Sequence, residues 1–134
     1  NAVKNCMKNN YIGFSGRASR SEFWWFTLFG NLVPIVGYIV VFGYISVALG
    51  GEGATMTLET LYTLLMLPSL VSLPILLPGL SVSVRRMHDT GRSGWMLLIG
   101  IIPCIGIIFL LVWLIDAGNA HANAYGDVPT NVVE

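Results

Sequence analysis

Three long stretches without any charged side chain dominate the pattern of hydrophobic and polar positions along the chain. They cover residues 23–51, 60–84 and 93–115, and so contain 29, 25 and 23 residues. About 20 apolar residues span the hydrocarbon core of a bilayer as an α-helix. The pattern therefore predicts three transmembrane helices, at about 24–48, 59–83 and 95–115. Helix is the predicted conformation because the backbone polar groups of a spanning segment must pair within that segment.

The composition supports a membrane protein over a soluble one. The 134 residues are 54% hydrophobic and only 10% charged, whereas soluble domains are nearer a quarter charged. A soluble fold with so few charges would expose large apolar patches and associate through them. We therefore expect an all-α integral membrane protein with a single membrane domain over residues 1–134.

The basic residues predict the orientation of the three helices. All seven lie in the segment before the first helix or in the 84–94 loop between the second and third: Lys4, Lys8, Arg17, Arg20, Arg85, Arg86 and Arg92. The charged residues elsewhere are all acidic. They lie in the 49–58 loop, at the flanking Glu59 and in the polar tail 116–134: Glu52, Glu59, Asp116, Asp127 and Glu134. Lys and Arg favour the cytoplasmic side. We predict an N-terminus in the cytoplasm and a C-terminus on the opposite side.

The tryptophans fall near the ends of the predicted helices. Trp24, Trp25 and Trp95 lie at the predicted cytoplasmic boundary, and Trp113 lies near the outer one. Amphipathic indole rings prefer the membrane–water interface. We interpret these four residues as interface anchors.

The N-terminal segment 1–22 contains a helix start. Ser19 and Glu22 have the spacing of a capping box, which predicts that the first long helix begins near Arg20. Upstream, Tyr11, Ile12 and Phe14 alternate with polar residues, a pattern that suits a short interfacial element in the headgroup region.

The two cytoplasmic segments are predicted to form one charged cluster at the membrane surface. Its candidate members are Arg17, Arg20, Glu22, Arg85, Arg86, His88, Asp89 and Arg92. One interpretation is topological anchoring with attraction to anionic lipid headgroups. The other is a structured network in which Glu22 or Asp89 bridges arginines, since the planar guanidinium binds carboxylates and phosphates with two donors. A lipid phosphate or another anion would share such a network.

Enzymatic chemistry is the least favoured interpretation of this cluster. His88 and Asp89 are adjacent, and adjacent side chains on a helix do not face each other. Ser83 and Ser93 lie nearby without a nucleophile signature, and His121 is predicted on the opposite side of the membrane. Cys6 and Cys104 are too scattered for zinc spacing. We predict no catalytic residue, no metal site and no cofactor.

The second predicted helix is rich in proline. Pro68, Pro74 and Pro78 each remove a backbone hydrogen bond and are expected to kink the helix. One interpretation is a bent packing helix. The other is a broken helix that lines a pathway, as in small transporters.

Several motifs occur in an order that resembles a known family. They are "YIGFSGRASRSEFWWF", "RRMHDTGRSGW" and the tail pattern N-x-Y-G-x-x-P, over about residues 11–129. The chain resembles the Domain of Unknown Function 805 family of small bacterial inner-membrane proteins, which implies a helical protein of that membrane. The positions that match the signature are Gly16, Arg17, Arg20, Glu22, Trp24, Arg85, Arg86, His88, Asp89, Gly94 and Trp95.

Two classes of function follow from these features. The favoured one is a non-enzymatic membrane module that associates with itself, a partner membrane protein or anionic lipid through the charged cluster. The alternative is a small transporter or channel lined by the proline-rich helix. Three helices make a thin bundle, so we expect a homo-oligomer or a subunit of a membrane complex. Nothing in the sequence suggests nucleic-acid binding.

Overall fold

A computed structural model describes residues 2–51 and 55–129, and these residues form helices joined by short loops. In chain order they are α1 (Ala2–Lys4), a π-helix (Asn5–Asn9), α2 (Arg20–Leu49), α3 (Leu58–Asp89), a 3₁₀-helix (Gly94–Ile101) and α4 (Ile105–Ile115). The described ranges contain no β-strand, so the protein is all-helical there. The predicted acidic positions Glu52 and Glu134 lie outside the described residues.

Helices α2 and α3 are long and apolar enough to cross a membrane. They contain 30 and 32 residues, which at a rise of 1.5 Å per residue is about 45 Å and 48 Å. The backbone N–H of Glu22 donates to Ser19 Oγ at 3.2 Å, which confirms the predicted cap and the start at Arg20. Because α3 continues to Asp89, the following loop is shorter than predicted and covers only residues 90–93.

The prolines of α3 do not interrupt it. Residues 58–89 are helical throughout, including Pro68, Pro74 and Pro78. The interpretation of this segment as a broken helix is therefore wrong. Proline is tolerated inside membrane helices because serine hydroxyls and neighbouring helices satisfy the freed backbone groups.

The chain divides into two compact units, Asn1–Thr27 with Leu77–Glu134, and Leu28–Leu76. The second unit contains the facing parts of α2 and α3. A Cβ atom on Gly37 would lie 3.0 Å from Pro68 Cβ, so the two backbones approach closely at this glycine. The Tyr38 hydroxyl and Ser69 Oγ are 2.9 Å apart and form a hydrogen bond between the two helices.

The first unit has a small core around the N-terminal segment. Its buried apolar residues are Cys6, Ala18, Phe23, Phe26, Val82 and Met87. Ser81 Oγ is 3.0 Å and 2.6 Å from the carbonyl oxygens of Asn10 and Gly13, which fastens this segment to α3. The short helical element of this segment covers residues 2–9. Residues 11–14, where the sequence predicted an interfacial element, form a turn followed by irregular backbone.

The prediction of a continuous third transmembrane helix over 95–115 is wrong. This stretch folds as a helical hairpin, with the 3₁₀-helix as its first arm and α4 as its second. The chain reverses at Pro103 and Cys104, where the N–H of Ile105 donates to the Pro103 carbonyl at 2.7 Å. Cys104 takes φ 63° and ψ −63°, the geometry of a tight γ-turn. The N–H of Gly106 donates to the Ile102 carbonyl at 3.1 Å and begins the second arm.

Both ends of this hairpin lie at the C-terminal end of α3. Gly94 packs against Val84, with its ideal Cβ position 2.7 Å from a valine methyl. At the other end, Arg86 Nε donates to the Leu114 carbonyl at 3.1 Å. Each arm is about 16 Å long, roughly half of the 30 Å hydrocarbon core. The segment therefore leaves the end of α3 and returns to it, and neither arm is long enough to span a bilayer.

Candidate functional site: a buried charged cluster

The structure brings most of the predicted cluster residues together in the first unit. Six of the eight are buried: Arg17, Glu22, Arg85, Arg86, His88 and Asp89. Arg20 is exposed and Arg92 is half-buried. The buried six come from the segment before α2, the first turn of α2 and the last two turns of α3. Buried charges are costly unless they are paired and hydrogen-bonded, so their partners define what the cluster does.

Arg17 is the residue that connects the most segments. Its Nε donates to Asp89 Oδ1 at 2.9 Å, and its Nη2 lies 2.9 Å from the same oxygen. The guanidinium also donates to three backbone carbonyls of the tail: Asn119 at 2.5 Å, His121 at 2.9 Å and Gly126 at 3.3 Å. An arginine side chain has five N–H donors, and all of its nitrogens are engaged here. Arg17 thus joins the N-terminal segment, α3 and the tail.

Asp89 is bound by a second arginine, Arg86, one helical turn earlier. Arg86 Nη1 donates to Asp89 Oδ2, so each carboxylate oxygen has an arginine partner. The other nitrogens of Arg86 donate to the carbonyls of Leu114 and Asp116 at the end of α4. Arg86 therefore fixes the returning end of the hairpin to α3.

A second ion pair fastens the N-terminal segment to the two long helices. Arg85 Nη1 donates to Glu22 Oε1 at 3.0 Å, and Asn5 Nδ2 donates to the same oxygen at 2.8 Å. Cys6 Sγ lies 3.5 Å from this oxygen and 3.7 Å from Arg85 Nη2. The remaining Nε of Arg85 is buried without a partner among the described residues.

This environment makes Cys6 unreactive. Burial, reinforced by the negative charge of Glu22, raises the pKa of the thiol from 9.0 to about 12. At pH 8 the thiolate fraction falls from about 0.1 to about 10⁻⁴, so ionisation alone slows alkylation about 1000-fold. We expect a Cys104→Ser variant to react slowly with iodoacetamide at pH 8 when folded, and rapidly when denatured. A labelling rate that unfolding leaves unchanged would contradict the burial of this thiol.

His88 is held from two sides by structural contacts. Its Nδ1 is 3.1 Å from the carbonyl oxygen of Gly16, and because a carbonyl only accepts, this hydrogen bond requires the proton on Nδ1. Its ring stacks on Tyr125, with the centroids 3.9 Å apart and the planes at 2°. Asp89, the next residue, is bound to two arginines instead. The two side chains do not form an acid–base pair with each other.

The tail caps the C-terminal end of α3. The last carbonyls of a helix have no partner within it. The N–H of Asn119 donates to the Asp89 carbonyl at 2.8 Å, and Asn123 Nδ2 donates to the His88 carbonyl at 2.9 Å. Gly118 lies against the Asp89 carboxylate with no room for a Cβ atom. Residues 118–123 therefore lie against the end of α3 that leads into the loop, whereas the sequence predicted the loop and the tail on opposite sides of the membrane.

Trp113 lies beside the loop after α3 as well. The Arg92 guanidinium carbon is 5.5 Å from the centroid of the Trp113 ring, whereas the sequence predicted Trp113 near the outer boundary, away from Arg92. Arg92 also pairs with Asp116, Nη2 to Oδ2, at 3.0 Å. Trp24, Trp25 and Trp95 are all exposed on the protein surface.

Sequence reasoning missed the tail residues of the cluster because they contribute mainly backbone atoms. Asn119, His121 and Gly126 accept hydrogen bonds through their carbonyls, which any residue supplies. The available signal was the density of turn residues in "NAYGDVP", which includes the stacking partner Tyr125 and the capping residue Asn123. Across residues 2–51 and 55–129, no group of three His, Cys, Asp or Glu side chains is placed to hold a metal ion.

The helices and the cluster define a small helical membrane protein with its buried charges gathered at the C-terminal end of α3. Residues 11–127 match the family described as protein of unknown function (DUF805). The chain belongs to this family, as its motifs predict. No solved structure matches it.

Two Escherichia coli K12 proteins are similar over almost their whole length. The chain is 42% identical to inner membrane protein YhaI over 120 residues, which is 90% of this chain and 88% of that protein. It is 37% identical to inner membrane protein YhaH over 122 residues, or 90% and 89% of the two chains. This chain is accordingly a bacterial inner-membrane protein, which confirms the predicted location.

Proposed function

We propose that this chain is a non-enzymatic membrane module that associates with itself, a partner membrane protein or anionic lipid. The cluster forms the rigid face at which that association takes place. One observation carries the proposal: the buried side chains in and beside the cluster that could do chemistry are occupied in holding the structure together. Both oxygens of Asp89 bind arginines, His88 is stacked and hydrogen-bonded, and the Cys6 thiol is protonated at neutral pH.

The cluster supports this role by joining three parts of the chain that are distant in sequence. The Arg17–Asp89 pair links the segment before α2 to α3, and the Arg85–Glu22 pair links the first turn of α2 to α3. Arg86 links α3 to the end of the hairpin, and Arg17 links all of these to the tail. Several paired charges in one buried network hold a single arrangement better than isolated surface pairs do.

The same contacts support a membrane topology with both termini in the cytoplasm. Two spanning helices return the chain to its starting side, and the hairpin returns to that side as well. All seven basic residues are predicted to face the cytoplasm. We expect a green fluorescent protein fused to the C-terminus to fluoresce and an alkaline phosphatase fused there to be inactive. An active C-terminal phosphatase would contradict this topology, and a phosphatase inserted in the 49–58 loop serves as the positive control.

Native mass spectrometry of protein extracted gently from its own membrane tests the proposal. The expected result is a fixed multiple of the 14.6 kDa chain, or one chain with a stoichiometric second protein or lipid. A bare monomer that retains no other component would overturn it. A Trp25→Leu variant is a suitable control for extraction, since Trp25 is exposed and outside the cluster.

A further inference from the structure

The structure separates the basic residues into two groups with different surroundings. Arg17, Arg85 and Arg86 are buried and paired within the protein. Lys4, Lys8 and Arg20 are exposed. Within residues 2–51 and 55–129, no hydrogen bond or ion pair engages these last three side chains. We call Lys4, Lys8 and Arg20 the N-terminal basic patch.

The patch is located where a membrane surface would be. Arg20 is the first residue of α2, and the uncharged stretch of that helix begins at Phe23. Trp24 and Trp25 follow at once and are 40% and 59% exposed. Exposed tryptophans next to a spanning stretch mark the headgroup level of a bilayer. The side chain of Asn5, between Lys4 and Lys8, is fastened to Glu22 at 2.8 Å, so the two lysines are held near the start of α2.

Among residues 2–51 and 55–129, no acidic side chain forms an ion pair with the patch. Glu22, the acidic residue of α2's first turn, is buried against Arg85. Arg20 experiences the like charge of Arg86 and lies at a helix N-terminus, where a cation is disfavoured by the helix dipole. An anionic group outside the protein would relieve both effects.

We propose that the N-terminal basic patch binds the headgroups of anionic phospholipids. This inference rests on the proposed function and names the lipid partner and the residues that contact it. The buried arginines of the cluster keep this face rigid but do not contact the lipid themselves, since they are already paired within the protein. Each basic side chain near an anionic leaflet is worth roughly a factor of five in affinity, so the three together are worth about 100-fold.

The test uses the purified full chain in neutral detergent, titrated with dioctanoyl phosphatidylglycerol or dioctanoyl phosphatidylcholine and read by native mass spectrometry. The wild type is expected to prefer the anionic lipid. A Lys4→Gln/Lys8→Gln/Arg20→Gln variant is expected to lose about 100-fold in affinity at low salt and so to lose that preference. The charge-preserving Lys4→Arg/Lys8→Arg/Arg20→Lys variant is the matched control and is expected to retain it.

Two results of this titration would overturn the assignment, and a third follows from comparing it with the extraction from the native membrane. One is an undiminished anionic preference in the glutamine variant with an unchanged melting temperature. The other is displacement of the lipid by inorganic phosphate at equal concentration, which would make the ligand a free anion. A fixed oligomer from the native membrane without any lipid preference would overturn this inference alone. A bare monomer in that extraction would overturn the proposed function itself.

Discussion

Replacing Arg17 with alanine is expected to lower the free energy of unfolding by about 3–5 kcal/mol, the usual cost of removing one partner from a buried ion pair. The Asp89 carboxylate would lose one of its two arginines, and three tail carbonyls would lose their donor. Lysine should not restore stability because an ammonium cannot reproduce the planar fork of five donors. The melting temperature in detergent or nanodiscs measures the effect, and faster amide exchange in residues 117–126 would show release of the tail.

Arg20→Ala is the matched control for this substitution. Arg20 is three residues away, carries the same charge, and is exposed without a partner in the described parts of the chain. A surface substitution of this kind changes stability by no more than about 0.5 kcal/mol. Equal melting temperatures for the two alanine variants would show that the buried cluster does not stabilise the fold.

Replacing Gly106 with alanine is expected to open the hairpin between the 3₁₀-helix and α4. A Cβ atom at this position would overlap the carbonyl oxygen of Ile99, which is backbone and cannot move aside as a flexible side chain would. Forcing extra volume into a packed contact lowers the free energy of unfolding by about 1–3 kcal/mol. We expect a value at the upper end of this range because the collision is with backbone. The measurements are the melting temperature and the amide exchange of residues 99–106.

Gly43→Ala provides the control for the hairpin substitution. Gly43 lies within α2 and its Cβ position is open, with no atom within 4 Å. Alanine is favoured over glycine inside a helix by about 0.5–1 kcal/mol, so this variant should be as stable as the wild type or more so. If Gly106→Ala behaves in the same way, the close approach of the two arms is not required for folding.

The Arg17 and Gly106 substitutions both test how residues 94–126 are held against the end of α3. Gly106 permits the tight reversal at the tip of the hairpin, and Arg86 holds its returning end through the Leu114 carbonyl. Arg17 then fixes the tail that follows. The buried charges cost desolvation energy, which is recovered only with good geometry and further hydrogen bonds. The carbonyls of Leu114 and Asp116 at the end of the hairpin supply such bonds to Arg86, so the cluster and the hairpin depend on each other.

The local pattern of the chain was sufficient for the two long helices. Their uncharged stretches exceed the length that a bilayer requires, and Ser19 caps α2 as its spacing with Glu22 predicts. These features depend on residues that are near each other in sequence. The clustering of arginines with Glu22 and Asp89 was also foreseeable, because the basic residues flank the same ends of the spanning stretches.

The sequence by itself determined the apolar stretches, the helix start at Arg20 and most of the side chains that form the charged cluster. Only the tertiary structure decided that residues 94–115 return as a hairpin and that the tail closes over Arg17. Counting basic residues assigns a side to a segment only if the segment carries some, and residues 116–134 carry none. The tail is instead held by its backbone carbonyls and amides, more than 100 positions from Arg17 in the case of His121 and Gly126. Backbone groups are the same in every residue, so no side-chain pattern predicts which of them will form these hydrogen bonds.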